Sequence, residues 1–409
     1  MSDAPTSTTG STVTEAPPGA AKQLWLATIG FAICFWAWAL LSPLGNTYGE
    51  LYELTDFEVS VLVAVPVIVG SLGRIPMGAL TDRLGARTVF PVAAAATIVP
   101  VLFVGLVADS LWTLLLGGFF LGLGGTTFAI GVPFVNSWYP PSRRGTAIGI
   151  FGAGMGGTAV AAFSTVPIRD AWGDAAPFWI VSAFLAVFAV VARFMLRESP
   201  SFNPGQVGGP GILVRTWRTL KLPATLQLSW LYAIGFGGFV SFSVYLPTFL
   251  ENAYGLTPSD ASFRTAGFVV LAVLMRPVGG TLSDKLGGVP VSVACFAVVT
   301  VFAAVLILQP GLVPVATIAF LGMAAGLGAS SGATFALVAK MAPPDRVGAV
   351  TGVVGAAGGL GGFIPPLVMG AVYAADGDYD LGFGLLSLTA LLTLLFTLGP
   401  VRRRVRSAA

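Results

Sequence analysis

Twelve stretches of this chain run almost free of charge for about 20 residues, the length that carries an α-helix across about 30 Å of hydrocarbon. They fall near 24–45, 59–81, 88–107, 111–134, 145–167 and 176–195, then near 226–250, 265–283, 289–308, 312–339, 347–372 and 381–400. Backbone amides and carbonyls left unpaired in lipid are costly, so such stretches are expected to be helices that satisfy their own hydrogen bonds. Composition agrees: 55% of the residues are hydrophobic and 10% are charged, against about 25% charged in a soluble domain.

Alternating spans sort the basic residues onto one side. Of 21 Lys and Arg, 17 fall on the side of the two termini, among them Lys22, Arg83, Arg87, Arg143, Arg144, Lys285, Lys340, Arg346 and the run from Arg402 to Arg406. Only Arg169 and Arg264 fall opposite. The positive-inside rule then predicts a multi-pass plasma-membrane protein with both termini cytoplasmic. The net charge of +3 calls for no nucleic-acid partner, because the basic residues serve as topology signals beside headgroups. Cys34 and Cys295 lie within spans and read as small buried apolar residues. With no nucleophile and base pair, metal-ligand cluster or cofactor loop, the chain is not expected to be an enzyme or to need a cofactor.

The last two cations, Arg74 and Arg276, lie inside spans. They begin matching stretches, "RIPMGALTDRLG" and "RPVGGTLSDKLG", offset by 202 residues, which pair Gly78 with Gly280, Asp82 with Asp284, Arg83 with Lys285 and Gly85 with Gly287. A second echo, offset by 203 residues, pairs Gly145 with Gly348, Gly149 with Gly352 and Gly152 with Gly355. The chain therefore reads as an all-α membrane protein of twelve transmembrane helices in two pseudo-symmetric six-helix bundles. The expected divisions are a disordered cytoplasmic tail (1–21), an N-terminal bundle (22–196), a Pro- and Gly-rich cytoplasmic linker (197–224), a C-terminal bundle (225–401) and a basic tail (402–409). This layout, with "GALTDRLG" at Gly78–Gly85 between the second and third spans, resembles the major facilitator superfamily. The resemblance implies transport by rocking one half against the other around a midplane site.

Asp82 and Asp284 mark the cytoplasmic ends of their helices. Eight residues at 1.5 Å each put either arginine about 12 Å deeper, near the bilayer middle and at matching depth. No Asp, Glu or His falls within the assigned spans as a partner. An ionisable group at that depth usually faces a cavity and serves function. Two guanidiniums that cannot lose their protons want an anion between them, and the planar fork suits a planar oxyanion such as nitrate, nitrite or a small carboxylate.

"LYAIGF" at Leu231–Phe236, "RPVGG" at Arg276–Gly280, "TFAIGVPFVNSWYP" from Thr127 and "GAVTGVVGAAGGLGGFIPP" at Gly348–Pro366 resemble the nitrate/nitrite porters of the superfamily. That resemblance implies a substrate-binding set of Arg74, Arg276, Tyr232 and Phe236, with Tyr232 donating to the anion and Phe236 closing its apolar face. It also implies a small inorganic anion, nitrate or nitrite, as substrate. No obligate protein partner is evident, so a monomer in the lipid bilayer is expected. The glycine runs at Gly152, Gly154 and Gly156 and at Gly355, Gly358 and Gly359 are read first as close, sliding helix packing. Asp82, Arg83, Asp284 and Lys285 are expected to gate the cytoplasmic side. Met155 stands where these porters commonly have Asn, and "SSGATF" at Ser330–Phe335 replaces a more usual Asn-Gly. With no acid in the midplane, nitrate/nitrite exchange is the expected cycle. Proton-coupled symport, a formate- or oxalate-type exchanger, and a membrane sensor that binds the anion without moving it remain open alternatives.

Overall fold

The chain's computed structural model describes residues 16–200, 202, 212–342 and 347–408. Among them, 12 helices are long and apolar enough to cross a membrane. In chain order they are α1 (Ala20–Leu51), α2 (Asp56–Leu84), α3 (Ala86–Leu106), α4 (Leu111–Trp138), α5 (Thr146–Trp172), α6 (Ala176–Met195), α7 (Pro223–Tyr254), α8 (Pro258–Leu286), α9 (Gly288–Ile307), α10 (Leu312–Val338), α11 (Ala349–Asp376) and α12 (Asp380–Ser407). No strand occurs among the described residues.

Start and stop signals recur at the offset seen in the sequence. Helix α2 begins at Thr55, whose hydroxyl accepts the Glu58 amide (3.3 Å) while the Glu58 carboxylate accepts the Thr55 amide (2.8 Å), a reciprocal cap. Helix α8 begins at Thr257, whose hydroxyl accepts the Asp260 amide (3.3 Å). They end at Gly85 and Gly287, with φ of +77° and +91°, a region that L side chains rarely enter. The repeat thus fixes where each arginine helix starts and stops, and so how deep its arginine sits.

Packing repeats as well. Helix α4 packs against α2 and α3, and α3 against α6; likewise α10 packs against α8 and α9, and α9 against α12. Between the two sets, α2 lies along α11 and α5 along α8, while the later part of α1 meets α7. Exchange of α2 with α8 and of α5 with α11 maps this contact onto itself, as a pseudo-twofold axis requires.

Helices run past several of the expected boundaries. Residues 16–21 are not all tail: α1 starts at Ala20, and Ala20 is buried because it packs into the core. The linker holds a short helix, Ile212–Leu220, and α7 already starts at Pro223. The basic run from Arg402 continues helically from α12. The spans extend past the charge-free intervals, because a helix does not stop where hydrocarbon ends; α7 carries Glu251 and α2 carries Asp56 and Glu58 in their terminal turns. Residues 1–15 of the expected tail, 201 and 203–211 of the linker, and 343–346 with the topology marker Arg346 lie outside the described residues.

After α6 the chain folds back as a strap. Ser199 donates to the Ser137 carbonyl (2.6 Å), and the Glu198 carboxylate accepts the Arg87 amide at the start of α3 (2.7 Å). Burial holds the Glu198 carboxyl above its ordinary range, against the opposing pull of Arg87. A Cβ at Gly85 would run into this carboxylate, whereas one at Gly287 would make ordinary contact with Pro290 at 3.6 Å. Alanine at either position should cost about 1–3 kcal/mol of backbone strain. Gly85→Ala should lower the thermal midpoint in detergent more than Gly287→Ala, and equal shifts would mean that the strap yields freely.

Candidate functional site

Arg74 and Arg276 point at the same aromatic ring. The Arg74 guanidinium carbon lies 5.7 Å from the Phe236 ring centroid and that of Arg276 lies 5.3 Å from it. The two charges are therefore no farther apart than those distances taken together. Arg74 is 7% exposed and Phe236 1% exposed, so both belong to the interior of the bundle. Neither guanidinium forms an ion pair with a carboxylate among the described residues.

Neutral groups hold the two cations instead. Arg74 Nη1 donates to the Gly355 carbonyl at 2.8 Å, and its guanidinium also faces Phe128, at 5.1 Å. Arg74 Nε is buried and has no hydrogen-bond partner among the described residues. Arg276 Nη2 donates to the Tyr232 hydroxyl at 2.8 Å, and Nη1 donates to the Met155 sulfur at 2.7 Å. Since Tyr232 accepts from Arg276, its own proton is left to donate elsewhere.

Helix geometry brings these groups together. Tyr232 and Phe236 are four apart on α7 and stack at 4.9 Å with their planes 5° apart. Phe335 of α10 meets Tyr232 edge-on at 4.8 Å. The Tyr232 ring fills the space where Gly358 has no side chain, and Ser71 does the same at Gly359. Gly154 lets α5 close on Phe31 of α1. Gly152 and Gly156 depart from the packing role expected of them: a Cβ at either would meet nothing within 4 Å. Gly355 is also loosely packed, its Cβ position 3.6 Å from Phe128, and what it contributes is its carbonyl.

Sequence reading missed Phe128, Phe335, Met155 and the Gly355 carbonyl as site groups. Phe128 lies in the quoted "TFAIGVPFVNSWYP" stretch and Met155 in a noted departure, but which face of α4, α5 or α10 turns inward is not written in the charge pattern.

The halves meet unevenly along the membrane normal. The face where α1 starts and α12 ends is the terminal face, and the other is the distal face. At the distal face, Ser42 of α1 reaches the Val244 carbonyl (2.8 Å) and the Ser243 carbonyl (3.1 Å) of α7. Asn46 donates to Glu251 (3.1 Å) and Asn252 (2.9 Å). Contact between α2 and α11, and between α5 and α8, thins toward the terminal face. A Cβ at Gly149 of α5 or Gly352 of α11 would there meet nothing within 4 Å. Asp82, Arg83, Asp284 and Lys285, expected as gating charges, are all exposed at the terminal ends of α2 and α8. The two halves are thus held together more closely at the distal face than at the terminal one.

A family model described as "Major Facilitator Superfamily" matches residues 27–366 and 249–409. The chain belongs to the Major Facilitator Superfamily. Within it, this facilitator is 46% identical over 394 residues to "Probable nitrate/nitrite transporter NarK2" of Mycobacterium tuberculosis, covering 96% of this chain and 99% of that protein. It is 38% identical over 376 residues to "Nitrite extrusion protein" of Bacillus subtilis, covering 92% and 93%, and 33% identical over 379 residues to "Probable nitrate transporter NarT" of Staphylococcus epidermidis, covering 91% and 95%. Among solved structures, a bacterial homolog of the human lysosomal transporter Spinster shares the fold, with a TM-score of 0.66 at 18% identity over 96% of this chain and 97% of that one.

On the α1 side, the distal hydrogen bonds to α7 come from two neutral residues, Ser42 and Asn46. Replacing Ser42 and Asn46 together by Ala should shift the population toward distal opening. Spin-label distances across the distal ends of α1 and α7 should lengthen, and an unchanged distribution would mean that other packing holds that face.

Proposed function

We propose that the chain is a secondary transporter of nitrate and nitrite that works by alternating access, with Arg74, Arg276, Tyr232 and Phe236 as its substrate-binding residues. One observation carries the reading: two arginines, one from each half, share a single aromatic ring, and among the described residues no carboxylate pairs with either. The names of the Mycobacterium, Bacillus and Staphylococcus relatives support the same substrates.

Chemistry assigns the roles. Nitrate is planar and presents two oxygens along each edge, which suits a guanidinium fork. The phenol proton of Tyr232 can serve a third lone pair, and the Phe236 ring covers an apolar face. With the termini cytoplasmic, the more loosely packed terminal face is the cytoplasmic one, the arrangement expected of a carrier facing inward in the plasma membrane. A single chain supplies every group named, so one chain suffices as the transporting unit.

The cycle follows from charge. An empty site must close around two like charges at low dielectric, whereas one bound monovalent anion cancels half of that charge. Loaded rocking is favoured over empty rocking, which makes outward nitrite for inward nitrate the natural exchange. Proton-coupled symport is the second reading, and Glu251 favours it: a carboxylate in the last turn of α7, bonded across the distal face, can carry a proton through the cycle. In the gating proposal, Asp82, Arg83, Asp284 and Lys285 engage when the terminal face closes.

Proteoliposomes decide between these readings. Nitrate uptake should require internal nitrite or nitrate, and uptake into anion-free vesicles driven by a proton gradient would establish symport instead. Excess formate or oxalate should leave labelled nitrate uptake largely intact. Arg74→Lys or Arg276→Lys keeps the charge but loses the fork, and should lower kcat/KM on the order of ten- to a hundredfold, the worth of one charged hydrogen bond. Normal transport by both variants would remove the clamp.

A further inference from the structure

Both arginines donate into the opposite half of the molecule. Arg74 of α2 bonds to α11 at Gly355, and Arg276 of α8 bonds to α5 at Met155. The first acceptor is a backbone carbonyl, which any sequence supplies. The second is a side chain, and it is an unusual choice: a thioether is among the weakest acceptors in proteins.

Local structure aims that sulfur. Helix α5 tightens into a single 3₁₀ turn, Ala153–Gly156, between its two α-helical parts. Such turns inside a helix often mark hinges. Met155 sits in this turn, fully buried, next to Gly154, where α5 closes on Phe31. The sequence repeat pairs Met155 with Gly358 at the offset of 203 residues. In the second half the space beside that glycine is taken by the Tyr232 ring. Arg276 therefore finds one acceptor from each half, a hydroxyl from its own and a sulfur from the other.

We propose that Met155 is a specificity- and coupling-determining residue: its thioether stands in for the anion on Arg276 Nη1 when the site is empty, and substrate must displace it. This rests on the anion-site reading above. The oxyanion wins because a guanidinium-to-oxyanion bond is charge-assisted, while the bond to a neutral sulfur is not. Displacement leaves Arg276 oriented, since Nη2 stays on Tyr232. It also severs a tie between α5 and α8, so binding of the anion loosens the hold between the halves that rocking must release. The empty carrier keeps that tie and stays in place, which is what exchange demands.

The test is Met155→Leu, which keeps volume and apolarity and removes the acceptor. Nitrate affinity of the purified protein, measured by calorimetry in detergent, should tighten by about three- to tenfold, because self-ligation by one weak bond to a charged donor no longer competes. In proteoliposomes the ratio of exchange to net uptake should fall together with that change. A role confined to packing would lower the thermal midpoint without tightening nitrate binding. A parent protein that binds nitrate and a Leu variant of unchanged or weaker affinity, with the same melting profile, overturns the role of Met155 and leaves the clamp standing. A parent that binds neither nitrate nor nitrite overturns the site reading itself, and this inference with it.

Discussion

Two permanent cations converge on one ring inside a bundle built for lipid. Arginine cannot escape burial by losing its proton, and the described residues provide no carboxylate in contact with either guanidinium. What compensates them is a set of neutral dipoles and ring faces: the Gly355 carbonyl, the Tyr232 hydroxyl, the Met155 sulfur, and the faces of Phe128 and Phe236. Each softens the burial of charge without cancelling it. The surplus positive potential is thereby confined to one place, where a small anion meets groups already aimed at it.

Placing that surplus depends on duplication more than on any single helix. The same cap residues start α2 and α8, and glycines in the same unusual conformation end them, so the two arginines inherit one depth. Pseudo-twofold pairing of α2 with α11 and α5 with α8 then turns equal depth into facing positions. The glycines contribute unequally. Gly358 and Gly359 let side chains from α7 and α2 press onto α11, whereas Gly152 and Gly156 look into open space in this state. Small residues that are idle in one arrangement are what a second arrangement of rocking halves needs for close approach.

The parts of this design that charge, spacing and repetition encode are legible in the sequence. Span count, the paired arginines and the four-residue step from Tyr232 to Phe236 are of that kind, because lipid forbids stray charge and a helix has a fixed period. Phe128, Phe335 and Met155 are of another kind. Apolar residues are abundant in every span, and only the rotation of α4, α10 and α5 about their axes brings these three inward. The distal closure is hidden for a related reason: Ser42 and Asn46 bond to carbonyls and side-chain oxygens of α7, and neutral polar residues leave no mark in a charge count. Glu251 escaped because helix α7 runs past its charge-free interval.

Weak compensation of the two arginines also bears on turnover. A carrier must bind its anion firmly enough to take it up and loosely enough to let it go. Two bare guanidiniums would hold nitrate so tightly that release would limit the cycle. In the proposed site, binding exchanges existing bonds to a carbonyl and a sulfur for stronger ones to an oxyanion, so the net gain is the difference between the two. Release is eased by the same amount, because the internal acceptors are waiting beside the arginines to take the anion's place. The mismatch between the two acceptors then has a direction: the carbonyl on Arg74 is the stronger competitor and the sulfur on Arg276 the weaker. An arriving anion should therefore engage Arg276 first and complete its contacts with Arg74 as the halves close.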